Sequence, residues 1–359
     1  MKLSDEQELI LGMVSEFSEQ SVEPMALDIE RNGIPQKTLS EMSGRGLLGA
    51  IVPEQYGGAA LDARSYFLIL ETLAQHSPSL AFFTFLQNSY VAKPVLDAGN
   101  TAVSEKLLPD ISSGKRTGSL ITEDMISFGG TPVSADERGG LRGRKRYVLN
   151  PGADAFLLPA VRGGSDSLFL LEKGVRRIRD EKRLGFRGIA FAEVEIESSA
   201  EDAVMILGGN ARRFLSDEIE KSSAGVAAIA IGMAEASVGK AIAYAKERKT
   251  FNSKLIEYQP ISFALALMNA ETELLRESLY SMDAESAADS LRMKLLATDL
   301  AIRSSKLSLQ VHGGNGYFEE YRVECFYRDS MALAALTGNR TMDMAAYSRM
   351  LFGPGSAGI

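Results

Sequence analysis

The feature that most restricts the fold is one long helical stretch, about residues 216–248, loaded with small side chains: Ala224, Gly225, Ala227, Ala228, Ala230, Gly232 and Ala234. Most helical stability in proteins comes from packing, and small residues let neighbouring helices approach the backbone closely. The stretch therefore predicts the middle of a packed bundle. Its partners follow in sequence. Pro260 suits the first turn of the next helix, where its missing N–H costs nothing. Leu265, Leu267, Met268, Leu274, Leu275 and Leu279 give that helix a buried stripe, in which methionine serves as gap-filler. A further helical pattern through Leu296, Leu300, Ile302, Leu307 and Leu309 runs into Gly313-Gly314. Glycine there ends a helix and lets another backbone, or a flat ring, come close. Val323, Phe326 and Tyr327 then begin a new apolar face, followed by Arg328-Asp329.

Earlier parts of the chain differ. Residues 3–115 read as helices joined by turns, with Leu9, Ile10, Met13, Val14 and Phe17 on one face of the first. Residues 48–58 are too rich in glycine and proline for helix. Between 118 and 207 the pattern changes to short strand-like runs (119–122, 147–149, 156–160, 167–171 and 192–196) separated by Gly, Asp and Asn. Leu207-Gly208-Gly209-Asn210 turns back to helix. The expected architecture is α+β and multidomain: an N-terminal helical bundle (1–117), a middle antiparallel β-barrel or sandwich (118–207) and a C-terminal four-helix bundle (208–359).

A chain of 359 residues has room for two or three units with sizeable cores. Its net charge of −8, with no basic stripe, argues against a nucleic-acid partner. Cys325 is the single cysteine, which excludes an internal disulfide, and with only His76 and His312 a metal site is not expected. Ser4-Asp5-Glu6-Gln7 opens the chain as a capping box rather than a secretion signal. No apolar run is expected to reach the roughly 18–20 residues of a membrane span. The expected location is cytoplasmic.

Two short stretches carry the functional signal. Glu247-Arg248-Lys249-Thr250-Phe251, followed by Gln259, stands upstream of Gln310-Val311-His312-Gly313-Gly314. Alone, the second is ordinary helix-ending turn chemistry, and a lone Arg248 is a solvated helix-end charge. Together they resemble the acyl-CoA dehydrogenase family, whose members bind FAD between subunits with an R-x-x-F and a Q-x-x-G-G segment. The resemblance covers nearly the whole chain. Gly46-Leu47-Leu48-Gly49 and Val52-Pro53-Glu54-Gln55-Tyr56-Gly57-Gly58 match the family's V-P-E-x-Y-G-G region, and Leu108-Pro109 with Gly114 match its hinge.

The resemblance implies FAD as cofactor, an acyl-CoA thioester as substrate and an electron-transfer flavoprotein as acceptor. It also implies a homo-oligomer, tetramer or dimer, because the shared cofactor needs residues from two chains. By position, Arg248 would meet the pyrophosphate of a neighbouring subunit's FAD, a role suited to a forked, always-charged guanidinium. Phe251 would pack on the adenine or flavin edge, and Gln259 would add a polar contact. Gln310, Gly313 and Gly314 would hold the adenosine end. Thr122-Glu123 matches the start of the family's T-E-P-x-A-G-S-D, so Thr122 would touch the flavin; residues 124–131 depart from the pattern. The family's W-I-T reads Tyr147-Val148-Leu149: Tyr147 would stack, and Leu149 lacks the hydroxyl. Asn339, in the segment matching the family's E-G-T, joins the cofactor set.

Dehydrogenation of a thioester needs a carboxylate to take the α-proton, placed in an apolar site that raises its pKa. Most members carry it at the position of Thr337, and a minority on the long helix at the position of Ser222, which Ser223 follows where many members have arginine. Neither hydroxyl is a base near neutral pH. Glu220, two residues before Ser222 and about 200° round the helix from it, is the expected acceptor if a local bulge turns it inward. Glu123 and Asp124 are further candidates. His312 is read as structural and His76 as a surface turn residue. The alternatives are a divergent flavin oxidase or monooxygenase on the same fold, and a non-catalytic acyl-CoA-binding homologue; fold does not choose among them.

Overall fold

The computed structural model describes residues 3–123, 132–136, 138–353 and 355–356. Helices come first: α1 (Asp5–Phe17), α2 (Ala26–Asn32), α3 (Gln36–Ser43), α4 (Ala63–His76), α5 (Pro78–Phe85), α6 (Lys93–Asp97) and α7 (Thr101–Ser112). A π-helical stretch, Leu86–Ala92, joins α5 to α6. Strands follow: β1 (Gly118–Leu120), β2 (Val133–Ala135), β3 (Leu141–Leu149), β4 (Ala155–Arg162), β5 (Ser165–Leu171), β6 (Val175–Asp180), β7 (Phe191–Glu197) and β8 (Ala203–Leu207). Then come α8 (Ala211–Glu247), a hairpin of β9 (Lys249–Thr250) and β10 (Ser253–Lys254), α9 (Gln259–Ser281), α10 (Ala287–His312), α11 (Glu324–Leu336) and α12 (Arg340–Phe352). Helices, then strands, then helices is the expected order.

Local chemistry explains the element ends. Ser4 Oγ accepts from the Gln7 N–H and Gln7 Oε1 from the Ser4 N–H, both at 3.2 Å, which closes the capping box of α1. Ile10, Val14 and Phe17 of that helix are buried, whereas Leu9 faces solvent. The long helix starts earlier than its small-residue stretch because its first turn is capped from a distance: the Arg212 N–H donates to Asp166 Oδ2 of β5 at 2.6 Å. Gln259 and Pro260 open α9 as expected. The middle of α8 is long and apolar enough to cross a membrane by length and composition, contrary to the expectation that no such run exists. It is 67% buried in that window, so here it is a core helix.

The middle sheet runs β6-β7-β3-β2-β4-β5-β8, with β1 alongside β4. It is not antiparallel throughout: β1 and β2 both lie parallel to β4. The two short strands share one edge of the longer β4, β1 against Ala155–Leu157 and β2 against Ala160 and Val161, and β2 also pairs antiparallel with β3. β6 was missed in the sequence because it is a charged edge strand, Val-Arg-Arg-Ile-Arg-Asp, largely exposed. One sheet face gathers Phe156, Leu158, Phe169, Leu171, Val194 and Ile196. Leu157, Leu168 and Leu170 point the other way, into the core of the helices.

Close packing of α8 on α4 sets the frame. A Cβ on Gly232 would stand 2.2 Å from the Glu71 carbonyl oxygen, and one on Gly225 2.9 Å from the Phe85 ring. The same contact is pinned by charge. Glu71, buried on α4, accepts from Arg276 Nε and from the Tyr280 hydroxyl of α9, each at 2.6 Å. Arg276 also pairs with Glu235 of α8. At the other side, Asp329 Oδ1 of α11 accepts the Phe186 N–H at 2.5 Å and ties the loop after β6 to the C-terminal helices. Arg328 beside it reaches Glu30 of α2 and Glu324. The Arg-Asp pair of the sequence thus joins all three parts of the chain.

Gly232→Ala is expected to destabilise the chain by about 1–3 kcal/mol, since only a backbone shift makes room for the methyl. Arg276→Met, which strands the Glu71 carboxylate in the core, is expected to cost about 3–5 kcal/mol. Denaturant midpoints measured at constant slope check both.

Candidate functional site

At one end of the bundle, α8 stops at Arg248, whose backbone turns extended. The Phe251 and Asn252 turn of the following hairpin has positive φ at both residues, +46° and +67°. Such a two-residue turn fits the twist of paired strands but favours Asn and Gly. A phenylalanine there is strained, and it is also 93% exposed. The hairpin is held by the Leu255 N–H donating to the Arg248 carbonyl (2.9 Å) and the Tyr258 hydroxyl donating to the Thr250 carbonyl (2.7 Å). The Arg248 guanidinium is exposed and makes no hydrogen bond or ion pair within the described residues. Gln259 is exposed at the start of α9.

The end of α10 lies beside it. Tyr244, one turn before Arg248, stacks on His312 with ring centres 4.3 Å apart, and the Asn315 amide donates to the Tyr244 hydroxyl at 3.0 Å. His312 Nδ1 meets the Ser308 carbonyl at 2.8 Å, and burial lowers the pKa of the ring. It is a structural histidine, as read. Gln310 is exposed in the last turn. Gly313 has φ +56°, and open space surrounds the missing Cβ of both Gly313 and Gly314. The structure therefore brings Arg248, Phe251, Gln310 and the glycine pair to one end of two adjacent helices.

On the sheet, Thr122 is buried just after β1. Tyr147 sits where the β3–β7 register shifts, with φ +60° and 40% exposure. The bulge aims its ring outward, between Phe191 (6.0 Å between centroids) and the Arg146 guanidinium, 4.7 Å from the Tyr147 centroid. Leu149 is buried. Glu123 accepts the Arg146 N–H at 2.9 Å, which engages it in the sheet rather than leaving it free as a base. Asp124 and the rest of 124–131 lie outside the described residues.

Ser222 and Thr337 both spend their hydroxyls on the helix. Ser222 Oγ donates to the Glu218 carbonyl and Thr337 Oγ1 to the Leu333 carbonyl, each at 2.7 Å. Lys294, 2% exposed, fixes the turn after Thr337: its Nζ donates to the Thr337 carbonyl and to Asp343 Oδ2, both at 2.8 Å. Asn339 caps α12, accepting the Thr341 N–H at 2.9 Å. Glu220 is half-buried on another side of α8, and burial, then Asp217, raises its pKa. Arg349 and Asp343 of α12 are the other charges that act on it.

Sequence reasoning passed over Glu218. It stands four residues before Ser222, hence on the same helix face, and that spacing was the available signal. Both line a cavity of about 380 Å³ between α4, α6, α8 and the segment after α9. Its apolar walls include Tyr66, Phe67, Leu96 and Gly225; Lys93, Asp97, Lys221 and Glu285 supply charge. Glu218 is 5% exposed. Burial first, and Asp97 second, push its carboxyl up to about 7, against the pull of Lys93 and Lys221. Lys93 is paired with Asp97, and Lys221 with Glu285. Neither Glu218 oxygen finds an N–H or O–H donor among the described residues, and Oε2 is wholly buried.

Helical ends thus flank a mixed sheet, with a strained aromatic on that sheet and, at the bundle end, an arginine without a partner among the described residues. The family models for the acyl-CoA dehydrogenase N-terminal domain and C-terminal domain match residues 4–115 and 212–351. The chain belongs to the acyl-CoA dehydrogenase family, whose members are FAD-dependent. It is 30% identical to a 3-(aryl)acrylate reductase of Clostridium sporogenes, over 98% of this chain and 100% of that one. It is 28% identical to a subunit of a caffeyl-CoA reductase-Etf complex of Acetobacterium woodii, over 98% and 99%. The butyryl-CoA dehydrogenase structure from Megasphaera elsdenii superposes with a TM-score of 0.89 at 26% identity, covering 98% and 99%.

Phe251→Gly removes an exposed side chain and the strain of a left-handed phenylalanine, offset by the extra freedom of glycine in the unfolded chain. Its unfolding free energy is expected to stay within about 1 kcal/mol of the parent's. Calorimetry or denaturant titration measures this, and a larger loss would mean that the ring packs in its own chain.

Proposed function

We propose that this chain is an FAD-dependent oxidoreductase that dehydrogenates an acyl-CoA thioester across Cα–Cβ, works as a homodimer or homotetramer, and passes electrons to an electron-transfer flavoprotein. One observation carries the reading. Arg248 and Phe251 are held outward with no partner among the described residues, beside Gln310 and an open glycine pair. A guanidinium and an aromatic ring so displayed suit a pyrophosphate and a flat heterocycle. Because they point away from their own fold, the dinucleotide they suit is a second copy's.

The residues present fit FAD. Arg248 would neutralise the pyrophosphate, Phe251 would stack, and Gln259 and Gln310 would donate hydrogen bonds from their amides. Gly313 and Gly314 would let the adenosine approach the backbone. Tyr147 would cover one face of the ring, and Thr122 and the free amide N–H groups of Asn339 would bond its polar edge. FAD, when bound, supplies the two-electron acceptor for the hydrogen leaving Cβ. The chain's own part is to orient the thioester, exclude water and take the α-proton, for which α8 offers two acidic side chains, Glu220 and Glu218.

Assembly is supported by a stripe on α9. Phe263, Leu267 and Leu274 recur at helical spacing with 65%, 56% and 63% exposure; Leu267 and Leu274, expected in the buried stripe of this helix, instead face out, on the kind of apolar face that a second copy covers. The acceptor is supported by the caffeyl-CoA reductase relative, which by name works in an Etf complex.

Purified protein is expected to show flavin absorption that bleaches anaerobically on adding an acyl-CoA. Arg248→Ala is expected to weaken FAD about 10- to 100-fold, the worth of a charged hydrogen-bonding partner. Phe251→Gly should also weaken it while leaving stability nearly unchanged. Unaltered FAD affinity in Arg248→Ala would sink the assignment. A double Phe263→Glu, Leu267→Glu change is expected to dissociate the oligomer in light scattering.

A further inference from the structure

We infer that Glu218, one helical turn before Ser222, is the group that takes the α-proton of the thioester substrate, with Asp97 and Lys93 as its positioning residues. This rests on the reading above that the substrate is an acyl thioester. Three observations meet at the residue. The helix position where some relatives carry the acid is Ser222, and Glu218 shares its face at a rise of about 5–6 Å. Both open on the same cavity, whose walls combine apolar side chains with Lys93, Asp97, Lys221 and Glu285. Glu218 is 5% exposed, and no donor among the described residues satisfies its oxygens. An ionised carboxylate left so in a core is costly, so the arrangement is tolerated where the group has another use.

The neighbours define its protonation. Asp97 of α6 is within hydrogen-bonding range of Glu218. Two carboxylates only accept, so the pair closes by holding one shared proton, and Lys93 steadies the negative charge on Asp97. Lys221 of α8 and Glu285 after α9 pair with each other at the cavity wall, and Tyr66 of α4 is engaged with Ser89 at 2.9 Å. Glu218 is left as the one acid facing the cavity without a cation of its own. In the step itself the Cα–H bond breaks, its electron pair passes into the thioester enolate, and the proton goes to a Glu218 oxygen. In heavy water, return of a deuteron completes an exchange that needs no net oxidation.

The test is α-hydrogen exchange. Holoprotein is incubated anaerobically in heavy water with butyryl-, octanoyl- or 3-phenylpropanoyl-CoA and no electron acceptor, and deuterium at Cα is read by mass spectrometry. Glu218→Gln is expected to lower the exchange rate at least a hundredfold with FAD content and unfolding midpoint retained. Ser222→Glu in that background is expected to restore part of it, which a folding defect would not allow. In the parent the rate should rise about tenfold per pH unit in the acid range. It should level off above about 7. Asp97→Asn, which removes the second cause of the raised pKa, should move that inflection lower. Exchange kept in Glu218→Gln, or lost instead in Glu220→Gln, overturns the inference while the thioester reading stands. A flavin-loaded parent that exchanges none of the three thioesters overturns both.

Discussion

The contact between α4 and α8 governs the rest. Helix backbones come this near only where side chains vanish, and the Gly232 position leaves no room for even a methyl against the Glu71 carbonyl. With α8 pressed into α4 along that line, its rotation is set. Ser222 and Glu218 must then face the cavity beside α6, and the far end must deliver Arg248 next to the last turn of α10. A single helix of 37 residues thus carries both the buried Glu218 and, at its end, the exposed Arg248, and rigid packing fixes the span between them. The charge cluster of Glu71, Arg276, Glu235 and Tyr280 locks the same junction from the third helix. Such a network stabilises by satisfying every member, so its value is specificity of alignment rather than raw affinity.

Much of this could be read from the residues. Small side chains announced α8 as a core helix, and the proline after Gln259 marked the start of its neighbour. The outward turn at 248–251 and the glycine pair at 313–314 were found by motif, and they lie together because the C-terminal ends of α8 and α10 stack through Tyr244 and His312. Less legible were features set by partners remote in sequence. The cap that Asp166 gives to α8 comes from a strand 46 residues earlier. The parallel pairing of β1 and β2 with β4 depends on where the chain re-enters the sheet, which no alternation pattern reports. The strand of three arginines looked like a loop because its edge is wet.

The two acids of α8 show the limit of sequence spacing more simply. Counting two residues back from Ser222 reached Glu220, the nearer glutamate in sequence, whereas a helix brings residues together at three or four. Glu220 keeps company with Asp217, Arg349 and Asp343, while Glu218 is buried against apolar walls with Asp97, Lys93 and Lys221 as its charged neighbours. Proximity along the chain and proximity in space disagree here. Burial, which decides how readily each acid gives up its charge, cannot be seen until the neighbouring helix is in place.

The buried ammonium of Lys294 has a consequence for how this family could change hands between acids. It clamps the carbonyl of Thr337 and already neutralises Asp343. A glutamate grafted at residue 337 would enter a buried turn whose nearby lysine is already held by Asp343. Moving an acid to this site would therefore also disturb the turn that Lys294 ties down through the residue 337 carbonyl.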